Sequence, residues 1–155
     1  MTRASRRPPT SIFFEVFALG QAVRQVLMST MSDAALSPEE YAVYSAIFEA
    51  EALTPTQMAE RLSMPLTTVM ERVRVLESRG HARRVKNARD RRSYHLVLTA
   101  QGLTAHRHAN ARFEIAYQRF LDALGSDESR ARAHVTRLRS AAERATELQA
   151  TDRAR

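Results

Sequence analysis

Residues 54–98 read TPTQMAERLSMPLTTVMERVRVLESRGHARRVKNARDRRSYHLVL. Thr54-Pro55-Thr56-Gln57 is a helix start: Thr54 is a candidate N-cap, Pro55 takes the first helical position and Gln57 completes a capping box. The helix from Pro55 to Leu62 is short, with Met58, Ala59 and Leu62 on its inner face. Ser63-Met64-Pro65 breaks it, because proline cannot continue a helix and restrains the residue before it. A second helix follows from about Leu66 to Arg79. Leu66, Val69, Val73 and Leu76 fall on one face, and Gly80 is its C-terminal cap. The pattern then changes to two strands, Ala82 to Lys86 and Tyr94 to Leu98, joined by the polar tip Asn87-Ala88-Arg89-Asp90-Arg91-Arg92-Ser93. Two helices at this spacing make a helix-turn-helix, and the hairpin is its wing.

Working outward, Ser37-Pro38-Glu39-Glu40 repeats the helix-start signal, and Tyr41, Val43, Tyr44, Ile47 and Phe48 give that helix a buried face. Before it, a helix over about 11–31 carries Ile12, Phe13, Val16, Phe17, Leu19, Val23, Val26, Leu27 and Met31. That stripe is wider than one core contact needs, so it calls for an intramolecular core, a partner subunit, or both. After the wing, Thr99 caps a long helix to about Leu124. Gly125 ends it, and Ser126-Asp127-Glu128 starts a last helix to about Leu148 whose apolar stripe is thin and Ala-rich. The expected organisation is a loose basic arm (1–9), an N-terminal dimerisation helix (10–35), a winged helix-turn-helix (36–98), C-terminal dimerisation helices (99–149) and a tail (150–155). The fold class is mainly α with a small β-hairpin wing.

The chain has 155 residues, a formal net charge of +7 and no cysteine. Disulfides, thiolate metal sites and thiol redox sensing are therefore excluded. No apolar run is expected to reach the ~18 residues of a transmembrane span, and no signal peptide is evident. The expected compartment is the cytoplasm, with no membrane association. Lys86 is the only lysine among 24 basic residues, so arginine content reflects composition as well as function. Distribution says more than the total. Residues 33–58 hold five acids and no base, whereas residues 60–92 hold ten bases and four acids. Such segregation points to a positive face built from one segment.

Candidate DNA contacts follow from this. The outward face of the second helix shows Thr67, Thr68, Glu71, Arg72, Arg74, Glu77 and Ser78. Short threonines near its N-terminus can approach bases or phosphates, Arg72 can reach a guanine edge or a phosphate, and Glu71 can accept from a cytosine amine or orient an arginine. Thr56 and Pro65 stand at the starts of the two helices. Arg84, Lys86, Arg89, Arg91 and Arg92 make a wing able to follow phosphates and enter a narrow minor groove, with Asp90 as an internal partner. A solvated helix face and a plain turn are the bland alternatives.

The helix-turn-helix, the Arg-rich wing, the D-x-R run (Asp90, Arg91, Arg92) and the L-T-x-x-G run (Leu98, Thr99, Gly102) resemble the MarR family of bacterial transcription regulators. The resemblance covers residues 36–103 by motif and the whole chain by helix order. It implies a homodimer with interlocked terminal helices, the helix at 66–79 in the major groove and the wing in the adjacent minor groove. Asp90 and Arg92 take the family's paired wing positions. Pro65-Leu66 replaces a polar start usual in the recognition helix, and Glu71 falls where a basic residue is common. The resemblance further implies a pocket for a small aromatic or phenolic effector between the dimerisation helices and the winged domain. Phe13, Phe17, Tyr41, Tyr44 and Phe113 are candidates to line it, each also explicable as core.

No Gly-rich phosphate loop, Ser-centred nucleophile motif or catalytic carboxylate pair is present, so no catalytic residue, metal or cofactor is expected. The expected function is sequence-specific binding of double-stranded DNA by a homodimeric regulator, a repressor of a pseudopalindromic operator. The alternative is a winged helix used for protein contact or RNA binding.

Overall fold

The computed structural model describes residues 11–50, 52–87, 93–125 and 127–153. In chain order these form α1 (Ile12–Thr30), α2 (Pro38–Ala50), α3 (Pro55–Leu62), α4 (Leu66–Ser78), β1 (Ala82–Lys86), β2 (Tyr94–Leu98), α5 (Ala100–Leu124) and α6 (Glu128–Arg153). The mainly helical fold with a small antiparallel hairpin is the architecture expected from the sequence. The last helix runs to Arg153, five residues past the expected end at Leu148, so 149–153 are helix rather than tail. The basic arm (1–9) lies outside the described residues.

Each start signal is realised in atoms. Ser11 caps α1. At α2 the Ser37 hydroxyl accepts from the Glu40 amide at 3.2 Å, and Glu40 accepts from the Ser37 amide at 3.0 Å. Thr54 and Gln57 exchange the same pair of bonds at α3. These boxes satisfy amide groups that a helix end otherwise leaves orphaned.

The chain divides into two compact units, Met1–Ala116 and Tyr117–Arg155. In the first, the core gathers Val43, Tyr44 and Ile47 from α2, Met58 from α3, Val69, Val73 and Leu76 from α4, Leu96 from β2 and Ala109 from α5. Leu53, just before α3, adds a third strand contact to the hairpin: the Leu96 amide donates to its carbonyl at 2.8 Å. Nothing in the local pattern of the sequence announced that bridge. In the second unit the Tyr117 hydroxyl donates to Glu128 at 2.5 Å, and Arg132 reaches the same carboxylate. No described residue of α6 is buried; Val135, Leu138 and Leu148 are exposed.

Two expectations change. Leu66 was placed on the core face of α4, but it is 46% exposed while Val69, Val73 and Leu76 are buried. It is the first helical residue, directly after Pro65, and sits at the free end of the helix beyond the reach of the core. Secondly, α1 has no buried residue: Phe13, Phe14 and Phe17 are each more than half exposed. Its 19 residues, with a mean hydropathy of 1.2, are long and apolar enough to cross a membrane by length and composition alone. That corrects the expectation that no run in the chain passes this test. Glu15 and Arg24 are its only charged residues.

Candidate nucleic-acid interface

The turn between α3 and α4 is made by Ser63, the one non-glycine residue among those described with positive φ (50°). Its amide and that of Met64 donate back to carbonyls of α3, at Glu60 (3.2 Å) and Ala59 (3.0 Å). The backbone thus reverses tightly, and Pro65 opens α4 without a side-chain cap. Val69, Val73 and Leu76 pin one side of α4 into the core. Thr67, Glu71, Arg74 and Ser78, spaced by three or four residues, are exposed on the opposite side. This is the polar outer stripe expected of a recognition helix.

Residues of the predicted interface fall into three groups. Thr56, Pro65, Thr67, Glu71, Arg74 and Lys86 are exposed, and Thr68 is half-buried beside the stripe. Glu71 enters no ion pair among the described residues, so an internal role in orienting Arg72 or Arg74 has no support from contacts. Arg72 and Arg84 form the second group, and of the two Arg84 is tied to the protein itself by hydrogen bonds. Arg72 is half-buried, and its charge acts on the Glu40 carboxyl. Arg84 donates from Nε and Nη2 to both oxygens of Glu77, at 2.6 and 2.8 Å, and lies 4.5 Å over the Tyr94 ring. Arg89, Asp90, Arg91 and Arg92 form the third group, which lies outside the described residues.

The hairpin is in strict register, with Ala82 opposite Leu98, Arg84 opposite Leu96 and Lys86 opposite Tyr94. At its far end Asn87 Nδ2 donates to Ser93 Oγ at 2.8 Å. Between the far end of the hairpin and the helices lies a groove of about 530 Å³, lined by Thr54, Pro55, Thr56, Gln57, Leu66, Met70, Asn87, Ser93 and Tyr94. The exposed Leu66 thus belongs to this surface and not to the core.

The acidic segment is neutralised in space. Glu39 pairs with Arg24, Glu40 with Arg79 at 2.8 Å, and Glu49 with Arg61. The charge segregation seen along the sequence is therefore partly cancelled by folding. Burial pushes the Glu40 carboxyl up, but the Ser37 amide and the neighbouring Arg79 outweigh it and hold it below the usual carboxylate range.

The L-T-x-x-G run is a joint. Thr99 Oγ1 donates to the Gly80 carbonyl at 2.6 Å and accepts from the Gly102 amide at 3.1 Å, while the Thr99 amide donates to the His81 carbonyl at 3.0 Å. A Cβ at Gly102 would stand 2.0 Å from the His81 oxygen. The run therefore closes the hairpin root against the first turn of α5.

The proposed effector residues are not assembled as one group. Tyr41 and Phe113 do meet, with rings 4.9 Å apart, and Tyr41 also stacks on His106. Tyr44 is fully buried, its hydroxyl 2.7 Å from His81 Nδ1. Phe13 and Phe17 stand exposed on α1. His106 is buried between Tyr41 and Phe48, with Ser45 Oγ 3.0 Å from Nε2.

The MarR family model matches residues 36–93, which run from the residue before the α2 cap to the last residue before β2. The matched segment is similar to the MarR family. MarR-family regulators are DNA-binding proteins and not enzymes. The PcaV transcriptional regulator from Streptomyces coelicolor, solved with its natural ligand, is 26% identical, with a TM-score of 0.71 over 92% of this chain and 99% of that one. CouR from Rhodococcus jostii, solved with p-coumaroyl-CoA, is 23% identical with a TM-score of 0.73, covering 89% of this chain and 96% of CouR. MepR from S. aureus, solved with DNA, is 18% identical with a TM-score of 0.70, over 84% and 98%. The latter two likenesses concern the fold. The HTH-type transcriptional regulator TtmR from Methylorubrum extorquens is 27% identical over 106 residues, 66% of this chain. The match spans about half (54%) of TtmR.

Proposed function

We propose that this protein is a homodimeric repressor that binds a pseudopalindromic operator in double-stranded DNA and is released by a small aromatic or phenolic acid. It acts in the cytoplasm, where its DNA is found. The observation that carries the reading is α4 itself: one side locked into the core, the other a polar stripe of Thr67, Glu71, Arg74 and Ser78, with a basic wing next in the chain. A helix so held can present its N-terminal half to base edges in the major groove. The wing tip at Arg89, Arg91 and Arg92 then reaches the adjacent minor groove. A protein-contact role would call for an apolar outer face on α4, and the stripe is polar.

Dimerisation is supported by the apolar exposed face of α1, which a second copy would cover, and by likeness to regulators over most of the chain. Effector release is supported by the ligand-bound forms of PcaV and CouR. DNA binding is supported by the DNA-bound forms of MepR and CouR.

The test is selection of genomic DNA fragments on the purified protein, followed by a salt series. The expected product is a shared pseudopalindrome with half-sites ~10 base pairs apart, bound less tightly as salt rises. Arg92→Ala is expected to weaken that binding by roughly 1–3 kcal/mol and to flatten the salt dependence. Recovery of fragments with no common sequence would remove operator recognition from this chain.

A further inference from the structure

Among its described residues, the predicted interface contains one arginine that already makes a two-point hydrogen bond inside the protein. Arg84, on β1, gives a two-point fork to Glu77 of α4, at 2.6 and 2.8 Å. Its guanidinium also lies over the ring of Tyr94 on β2, 4.5 Å from the centroid. The Tyr94 hydroxyl in turn donates to Met70 Sδ on α4 at 3.7 Å. Most surface ion pairs contribute little, but two-point arginine–carboxylate pairs that also stack on an aromatic face are the stronger kind. Here the pair closes a loop through three elements: α4 to β1, β1 to β2, and β2 back to α4.

We infer that Glu77, Arg84 and Tyr94 form a brace that sets the angle of the wing against the recognition helix, and that Arg84 positions the wing instead of contacting DNA. The inference rests on the DNA-binding reading for its consequence in affinity. The brace itself is a property of the protein alone. Two reading elements must reach adjacent grooves of one duplex together. The hairpin root is held by Leu96 in the core, the Leu53 bridge and the Thr99 joint, but its outer part could still swing, and each binding event would then have to order it. Arg84 removes that freedom beforehand. Lysine cannot replace it, because an ammonium offers no planar fork and no stacking face.

The experiment uses the full chain and the duplex recovered by selection on the wild-type protein. Arg84→Lys and Arg84→Gln are each expected to weaken binding by roughly 5- to 20-fold, the scale of coupling between residues in direct contact. Both should keep the wild-type slope of log affinity against log salt. In a Glu77→Gln background, either change should cost nothing further. A direct phosphate contact gives the opposite pattern: Arg84→Lys binds like wild type, and Arg84→Gln lowers the slope by about 0.9. That pattern, or unchanged binding by both variants, overturns the inference. A DNA-free readout keeps it separate from the functional proposal. Amide hydrogen exchange in β1 and β2 should speed up in Arg84→Lys while the core amides of α2 stay protected. If selection on wild-type protein recovers no common site, the operator reading falls and exchange alone judges the brace. Unchanged exchange overturns the brace.

Discussion

At the scale of single residues, Gly102 shows how the lack of a side chain sets a joint. An added methyl would lie 2.0 Å from a backbone oxygen and 2.9 Å from its carbon. Backbone atoms cannot step aside as a flexible side chain can. Gly102→Ala is therefore expected to lower unfolding stability by about 3 kcal/mol, the upper part of the overpacking range, as measured by denaturant unfolding. A change within a few tenths would show that α5 can shift at no cost. His106 offers a second test. Burial pushes its imidazole down, against a smaller upward pull from Glu49. The folded chain then binds this proton less readily than the unfolded chain, whose value is near 6.5. As pH falls below that value the unfolded state gains the proton first, so stability declines, and the decline levels off beneath the folded value. His106→Gln should be less pH-sensitive than wild type between about pH 7 and 5, and parallel curves would deny His106 this role. Of these two residues, Gly102 was legible as part of a run. The role of His106 was not, because its neighbours Ser45 and Phe48 come from a helix far away in sequence.

At the scale of elements, local chemistry was read well. Capping boxes, proline at helix starts and the change of period at Ala82 depend on neighbours within four residues, and all of them appear in the fold. Leu66 shows where periodicity fails: it counts a position as inner without knowing how far the core extends. Thr68 is the residue where α4 is expected to read sequence, being half-buried at the edge of the exposed stripe. Thr68→Ala should shift site preference in a fresh selection while binding to unrelated duplex changes little. An unaltered consensus would remove Thr68 from the base-reading set. The acids of residues 33–58 are segregated along the sequence, yet Glu39, Glu40 and Glu49 are met by Arg24 of α1, Arg79 just past α4 and Arg61 of α3. Pairing across elements is decided by packing.

At the scale of the whole molecule, α1 is an apolar helix that has no buried residue in the described chain. Nine of its large apolar side chains are exposed, Phe13, Phe14 and Phe17 among them. Leaving such a face in water is costly at roughly 25 cal/mol per Å² of apolar surface, so a second copy is the expected cover. Phe14→Glu with Phe17→Glu should convert the protein from dimer to monomer in sedimentation. A charged pair introduced there would have to be desolvated on association. A dimer that survives both changes would place the interface elsewhere. The sequence alone determined which segments are helices, where they start, that a hairpin follows the second helix of the pair, and which family the chain resembles. Those features come from short-range sterics, capping and hydrophobic period, which act within a few residues. Only the tertiary structure decided that Arg84 is bound to Glu77 and Tyr94, that Leu66 faces a groove, that Gly102 abuts His81 and that α1 lies bare. Each depends on which distant segments share a surface, and a linear pattern carries no record of that.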